Sequence, residues 1–177
     1  LTYTAQLAGG GALPAWLSFD PATRTFSGTP ANSDVGTVSV DVIANDGNGG
    51  MATDTFTITV VNVNDVPTAI QIDDMAMVVG AAPLQIDLRT KFFDIEDAQS
   101  LNYELVSNSN SDAVISIQLD QSAGTMTIVV SSQTAGESVI RLRAIDSEGA
   151  WVESSFKVTV SAKEQPVTPP VIVTPPV

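Results

Sequence analysis

The chain has 177 residues, 44% of them hydrophobic but only 6% aromatic, with 20 acidic against 7 basic side chains and a net charge of −13. That charge argues against nucleic acid and against an anionic membrane surface, since both require Lys/Arg to displace counterions along phosphates; cations are the natural counter-species. There is no Cys and no His, which removes Cys/His zinc centres and Cys- or His-based catalysis.

No run of about 18 apolar residues is present to span a membrane, and no signal peptide is read. Without disulfides the chain is either cytosolic or extracellular and stabilised by other means. The start at Leu1-Thr2-Tyr3 falls inside a strand pattern, as expected of a piece of a longer polypeptide.

Internal repetition organises the chain. Leu1-Thr-Tyr3 matches Leu101-Asn-Tyr103, Gly36 matches Gly136, Ala44-Asn-Asp46 matches Ala144-Ile-Asp146, Phe56 matches Phe156 and Val60 matches Val160. The offset is constant (103 − 3 = 100; 146 − 46 = 100; 156 − 56 = 100). Two copies of one module are therefore expected: 1–64, short at its N-terminal side, and 65–161, followed by a Pro-rich tail over 162–177.

In the first copy, Trp16-Leu-Ser-Phe19 and Thr25-Phe-Ser-Gly28 flank the turn cluster Asp20-Pro-Ala-Thr-Arg24, a hairpin pattern. Thr37–Ala44 places Val38, Val40, Val42 and Ala44 on one face. Asn45-Asp-Gly-Asn-Gly-Gly50 is a turn, because Asn and Gly tolerate positive φ. Thr55–Val60 then alternates strictly and is expected to bury Phe56, Ile58 and Val60, the mark of an antiparallel strand with one wet face.

The second copy repeats this pattern. It also adds Ile70-Gln-Ile72, Met75–Val79 and Leu84–Leu88 as strands, then an acidic loop through Phe92-Phe-Asp94-Ile-Glu96-Asp97. Nothing ahead of Leu1 corresponds to that block, so the first module is expected to present an uncovered strand edge, which natural sheets avoid. The tail, with its repeated Val-Thr-Pro-Pro, reads as an extended semi-rigid spacer. Short antiparallel strands without a helical period predict an all-β fold of immunoglobulin-like sandwich class.

Leu13-Pro-Ala-Trp16-Leu-Ser-Phe-Asp20, Phe26-Ser-Gly28-Thr-Pro30, Ala44-Asn-Asp46-Gly-Asn-Gly49 and Asn62-Val-Asn64-Asp65-Val-Pro67 together resemble the dystroglycan-type cadherin-like domain. The resemblance covers nearly all of 1–67 and is looser over 68–161, where Trp-Leu-Ser-Phe has become Val114-Ile-Ser-Ile117. It implies tandem cadherin/immunoglobulin-like Greek-key β-sandwiches in a bacterial surface or secreted protein, extracellular, with calcium at the junction of modules.

The metal ligands it implies are Asn62, Asn64 and Asp65 from the linker, Asp94, Glu96 and Asp97 from the acidic loop, and Asp146 before the last hairpin. Such a mixture of carboxylates and amides suits calcium, which takes six to eight oxygen ligands. The competing reading is that these are solvated acids and turn formers, with Asp46 in a plain loop role. At +100 from the linker stands Ala162-Lys-Glu-Gln-Pro166, so no second junctional site is expected there.

Two functions compete. One is a calcium-stiffened adhesion or spacer module whose partners are other domains of the same protein or another surface protein. The other is a carbohydrate-binding module of a secreted polysaccharide-active protein. Trp151, after the Ser147-Glu-Gly149 turn, is the exposed aromatic candidate for the second, whereas Tyr3 and Tyr103 fit a core. An intracellular β-domain is a third option. No nucleophile–base pair is readable, and no enzymatic activity is expected.

Overall fold

The computed structural model describes residues 1–164, so the expected spacer over 162–177 lies mostly outside the described residues. Two compact units are formed, Leu1–Asn64 and a second that begins at Asp65.

The second unit is built on alternation. In β13 (Gly136–Ile145) and β14 (Trp151–Ser161), every second side chain from Ser138 to Ala144 and from Ser154 to Val160 is buried. They pair antiparallel from Gly136↔Val160 to Ile145↔Trp151. Strand β10 (Asn102–Asn108) adds to one side of this hairpin, and β7 (Met75–Val78) lies parallel on the other, giving the order β10-β13-β14-β7.

The opposing sheet is β11-β12-β8, from Val114–Asp120, Thr125–Val130 and Leu84–Asp87. Crossing between the sheets from β7 to β8, from β10 to β11 and from β12 to β13 gives a Greek-key sandwich. Its core draws Ile140, Leu142, Phe156 and Val158 from one sheet and Val114, Met126 and Ile128 from the other. A short pair, β6 (Thr68–Ala69) with β9 (Phe92–Phe93), and a 3₁₀ turn at Leu88–Thr90 bring Ile72, Leu88 and Phe92 into the same core.

Two details differ from the sequence reading. Ile70–Ile72 forms no strand; pairing stops at Ala69 and Ile72 enters the core as a single anchor. Phe92-Phe93 belongs to a strand rather than to the acidic loop, with Phe92 facing inward.

The first unit contains β1 (Thr2–Leu7), β4 (Gly36–Asn45) and β5 (Met51–Val60) in one sheet, and β2 (Leu17–Asp20) with β3 (Thr25–Gly28) in another. Its registers repeat those of the second unit except at Gln6 and Leu7, because a bulge between Leu105 and Ser107 shifts β10 by one residue against β13. Tyr3↔Ala44, Asn45↔Met51, Gly36↔Val60 and Asp20↔Thr25 stand against Tyr103↔Ala144, Ile145↔Trp151, Gly136↔Val160 and Asp120↔Thr125.

The hairpin turns agree to the backbone torsion. Arg24 has φ 60° where Gly124 has φ 65°. Both turns are closed by the leading carboxylate: Asp20 accepts from the Ala22 amide (2.8 Å) and the Thr23 hydroxyl (2.8 Å), and Asp120 accepts from the Ala123 amide (3.0 Å) and the Ser122 hydroxyl (2.7 Å). Where β14 and β12 are covered by β7 and β8, however, β5 and β3 have no second neighbour among the described residues.

Burial follows. Phe56, expected to be buried, is 37% exposed, while Phe156 is 2% exposed. Ile58 and Val60 are likewise only half-buried, as is Tyr3 against a buried Tyr103. Apart from that bulge the strands have the same register, and what the first unit lacks is cover.

This contrast sets a measurable difference. Phe156→Ala should cost the second unit about 3–5 kcal/mol, the range for a fully packed aromatic. Phe56→Ala should cost the first unit less than half of that, read from denaturant unfolding followed separately for each unit.

Candidate functional site

The acidic candidates Asp94, Glu96, Asp97 and Asp146 lie on two linked loops of the second unit. The first leaves β9 and folds over Asp94: its Oδ1 accepts the Glu96 amide (2.9 Å) and the Asp97 amide (2.8 Å), and Asp94 bridges to Ala98, whose φ is 50°. The Glu96 carboxylate reaches back to the Asp65 amide (3.3 Å) at the start of the unit. Asp97 Oδ2 accepts the Ser147 amide (2.6 Å), which ties this loop to the β13–β14 turn.

In that turn Asp146 is 3% exposed, and its Oδ1 accepts the Glu148 amide (2.9 Å) and the Ala150 amide (2.8 Å). A depression beside the acidic loop is lined by Asp65, Val66, Thr68, Phe93, Asp94 and Ile95.

One atom is left out of this network. Asp94 Oδ2 is buried and has no hydrogen-bond partner. Leaving a polar atom in that state costs about 1–3 kcal/mol, more where the group is charged.

Of the residues singled out from sequence, Asp65, Asp94, Glu96, Asp97 and Asp146 thus belong to linked loops of the second unit. Asn62 and Asn64 follow β5 at the end of the first unit. Among the described residues, no three acidic side chains stand at metal-holding distances.

The first unit carries the same β-turn without the second loop. Asp46 Oδ1 accepts the Asn48 and Gly50 amides (both 2.8 Å), the pattern seen at Asp146. These bonds hold its carboxyl below the usual carboxylate range. A Cβ at Gly50 would lie 2.4 Å from Asp46 Oδ2 as placed, so the carboxylate would have to shift; the second unit carries Ala150 at this position. The loop role expected of Asp46 is what its geometry performs.

A second cluster was not singled out from sequence. On the wet face of β10, β13 and β14, Arg143 pairs with Glu153 (2.8 Å) and Glu104 (3.3 Å), and Arg141 pairs with Glu153 (3.1 Å). The Arg143 guanidinium lies 4.4 Å from the Trp151 ring centroid, a cation–π contact, and Trp151 remains 50% exposed. The signal was available: pairing the hairpin about its turn sets Arg143 directly opposite Glu153. The equivalent pair in the first unit is Ile43↔Thr53, so this lattice belongs to the second unit alone.

Comparison with known proteins agrees with this architecture. Residues 1–61 match the family model described as "Putative Ig domain". No curated protein matches the sequence.

Among solved structures, a protocadherin gammaB7 EC3-6 cis-dimer aligns at TM-score 0.56 and 18% identity, over 92% of this chain and 40% of that one. Human CDH23 EC21-23 aligns at TM-score 0.55 and 16% identity, over 89% and 55%. An endo-fucoidan hydrolase of glycoside hydrolase family 107 aligns at TM-score 0.44 and 20% identity, over 90% and 23%. The chain thus spans 23% of the hydrolase and 40–55% of the two cadherin structures. The fold is the all-β, immunoglobulin-like sandwich of cadherin ectodomains.

The Asp46 turn yields a pH dependence with a definite sign. Its carboxyl is held below the ordinary value, so its contribution is present in full above the unfolded pKa of about 3.9 and is lost as the pH falls through the lower folded value. Asp46→Ala should therefore lower the melting temperature of the first unit at neutral pH, and the gap to the parent should close in strong acid, as read by thermal melts across that range.

Proposed function

We propose that the chain is an extracellular spacer or adhesion module whose second unit binds calcium at its acidic loops. The observation that carries this reading is the buried, partnerless Asp94 Oδ2 on a loop shared with Glu96 and Asp97. A hard cation with flexible oxygen coordination fits such a donor set. Asp94, Glu96 and Asp97 would hold it, with Asp65 and Asp146 on the adjoining segments.

The chain's own residues prepare the site without it. Backbone amides occupy one oxygen of Asp94 and one of Asp97, which fixes the loop and leaves the second oxygens for the ion. The ion would supply charge neutralisation and cross-linking of the loops, and no catalytic step. The role is binding and mechanical rather than enzymatic. It acts through contacts with other domains of the same protein or with another surface protein, which agrees with the cadherin-like fold and the strongly acidic composition.

Calcium should raise the melting temperature of the second unit. At about 100 times the Kd the gain is about 2.7 kcal/mol. Asp94→Ala should abolish the shift while leaving the fold intact by circular dichroism. Identical calorimetric melts in calcium and in chelator would dispose of the metal reading.

A second reading rests on Trp151, half-exposed and braced by Arg143: a flat aromatic on a polar sheet face can stack against a sugar ring. It expects retention on at least one insoluble polysaccharide, weakened by Trp151→Ala. Free elution of the parent chain from a panel of polysaccharides would remove it.

A further inference from the structure

The β4–β5 turn of the first unit holds two dipeptides of the same latent chemistry, Asp46-Gly47 and Asn48-Gly49. In such a pair the glycine nitrogen attacks the preceding side-chain carbonyl carbon and closes a five-membered imide. Glycine favours the closure, because it puts no side chain in the way and lets the backbone turn freely. The surroundings of the two pairs differ.

Asp46 is protected in three ways. The Asn48 and Gly50 amides hold its carboxyl in the ionised form, and a carboxylate anion is a poor electrophile. The same two bonds (both 2.8 Å) fix its Oδ1 in place. The amide that would attack it, on Gly47, donates instead to Asn45 Oδ1 (2.7 Å).

None of this holds one step further on. Among the described residues, the Asn48 side chain and the Gly49 amide make no hydrogen bond. Both residues are exposed. Gly49 has φ 99°, and a Cβ there would meet nothing within 4 Å, so open space surrounds the attacking nitrogen. The Asp46 amide donates to the Gly50 carbonyl (3.0 Å), which pins the ends of the turn and leaves this peptide free.

The exposure is a property of the turn itself. In the second unit a preceding loop binds the Ser147 amide through Asp97, yet Glu148 and Gly149, at the equivalent positions, are exposed as well. Of the eight asparagines in the chain, Asn48 alone precedes a glycine.

We propose that Asn48, and not Asp46, is a self-modification site whose side-chain amide is converted to a carboxylate by the Gly49 nitrogen and water. The Gly49 nitrogen bonds to Asn48 Cγ, and the side-chain nitrogen leaves as ammonia with the Gly49 amide proton. Water then opens the imide. Adding at Cγ it leaves aspartate; adding at the Asn48 main-chain carbonyl carbon it leaves isoaspartate, with the chain routed through Cγ. No oxidant or reductant takes part, and either product adds one negative charge to a chain of net −13.

The two products act differently. Aspartate places an acid where the second unit carries Glu148, so the turn accepts it. Isoaspartate inserts a methylene into the main chain between the Asn48 and Gly50 amides, which then no longer converge on one Asp46 oxygen. The turn loosens, and the first unit alone ages.

The test incubates the full chain in mildly alkaline buffer. Tandem mass spectrometry should find loss of ammonia at Asn48, then acid at that position, and an isoaspartyl methyltransferase should label the aged chain. Asn48→Gln, whose longer side chain does not close the five-membered ring, should lose that label. Thermal melts should show the first unit of the aged parent melting below the fresh one, with aged Asn48→Gln unchanged. Survival of Asn48 through the incubation overturns the proposal. So does isoaspartate forming at Asp46 as fast as at Asn48, since the hydrogen bonds would then protect nothing. A chain that carries isoaspartate at 48 and melts like fresh protein overturns the loosening of the turn.

Discussion

The register of the β13–β14 hairpin is the constraint from which the second unit follows. Its pairing sends Ile140, Leu142, Ala144, Phe156, Val158 and Val160 to one side and Arg141, Arg143, Glu153 and Lys157 to the other. A slip of one residue would exchange the two sets, exposing the core and burying the charges. Core and charged lattice are therefore two faces of one choice. The same register brings Asp146 to the turn between the strands, where its loop meets Asp97 through the Ser147 amide. The linked acidic loops are thus positioned by the pairing that builds the core.

The first unit separates register from burial. Its strand pairings recur 100 positions later (103 − 3) except at Gln6 and Leu7, where a bulge after Leu105 shifts the register, yet Leu17 and Val40 are its only buried hydrophobic residues among those described. Alternation decides which side of a strand is apolar. Whether that side becomes a core depends on a layer arriving from another part of the chain. In the second unit that layer includes Ile72, Leu88 and Phe92 together with β7 and β8, all from 68–93. Packing against it turns a half-wet phenylalanine into a buried one.

Much of this was legible in the residues. The constant offset located both units, and Val38/Val40/Val42 against the Asn45–Gly50 turn located β4 and β5. It was not legible that Phe56 would stay partly wet, because period-two alternation carries no information about the opposite layer. Nor did sequence separate Ile70–Ile72, a β-like triplet that makes no strand, from Phe92-Phe93, which does; both outcomes are set by which residue the core can reach. Arg24 at positive φ was equally hidden, since the local signal for that conformation is the Gly found at 124. For the acidic residues, sequence supplied the donor types but not their partners, which are backbone amides, local ones on Asp94 and Asp146 and distant ones on Glu96 (from Asp65) and Asp97 (from Ser147).

Those partners distinguish two kinds of acid that composition alone lumps together. Asp20, Asp46 and Asp120 are turn formers: each collects local amide or hydroxyl donors, which lower its pKa, and each stands on an exposed or half-buried loop where water completes its shell. Asp94 also collects two amides on one oxygen, so its loop needs no metal to take shape. Its other oxygen faces protein rather than water and meets no donor there. A turn former gains nothing from that arrangement, because burying an acceptor without a donor only costs stability. A cation ligand would gain, because its oxygen would already be stripped of water; on the proposed calcium reading, that oxygen of Asp94 is the one that would meet the ion.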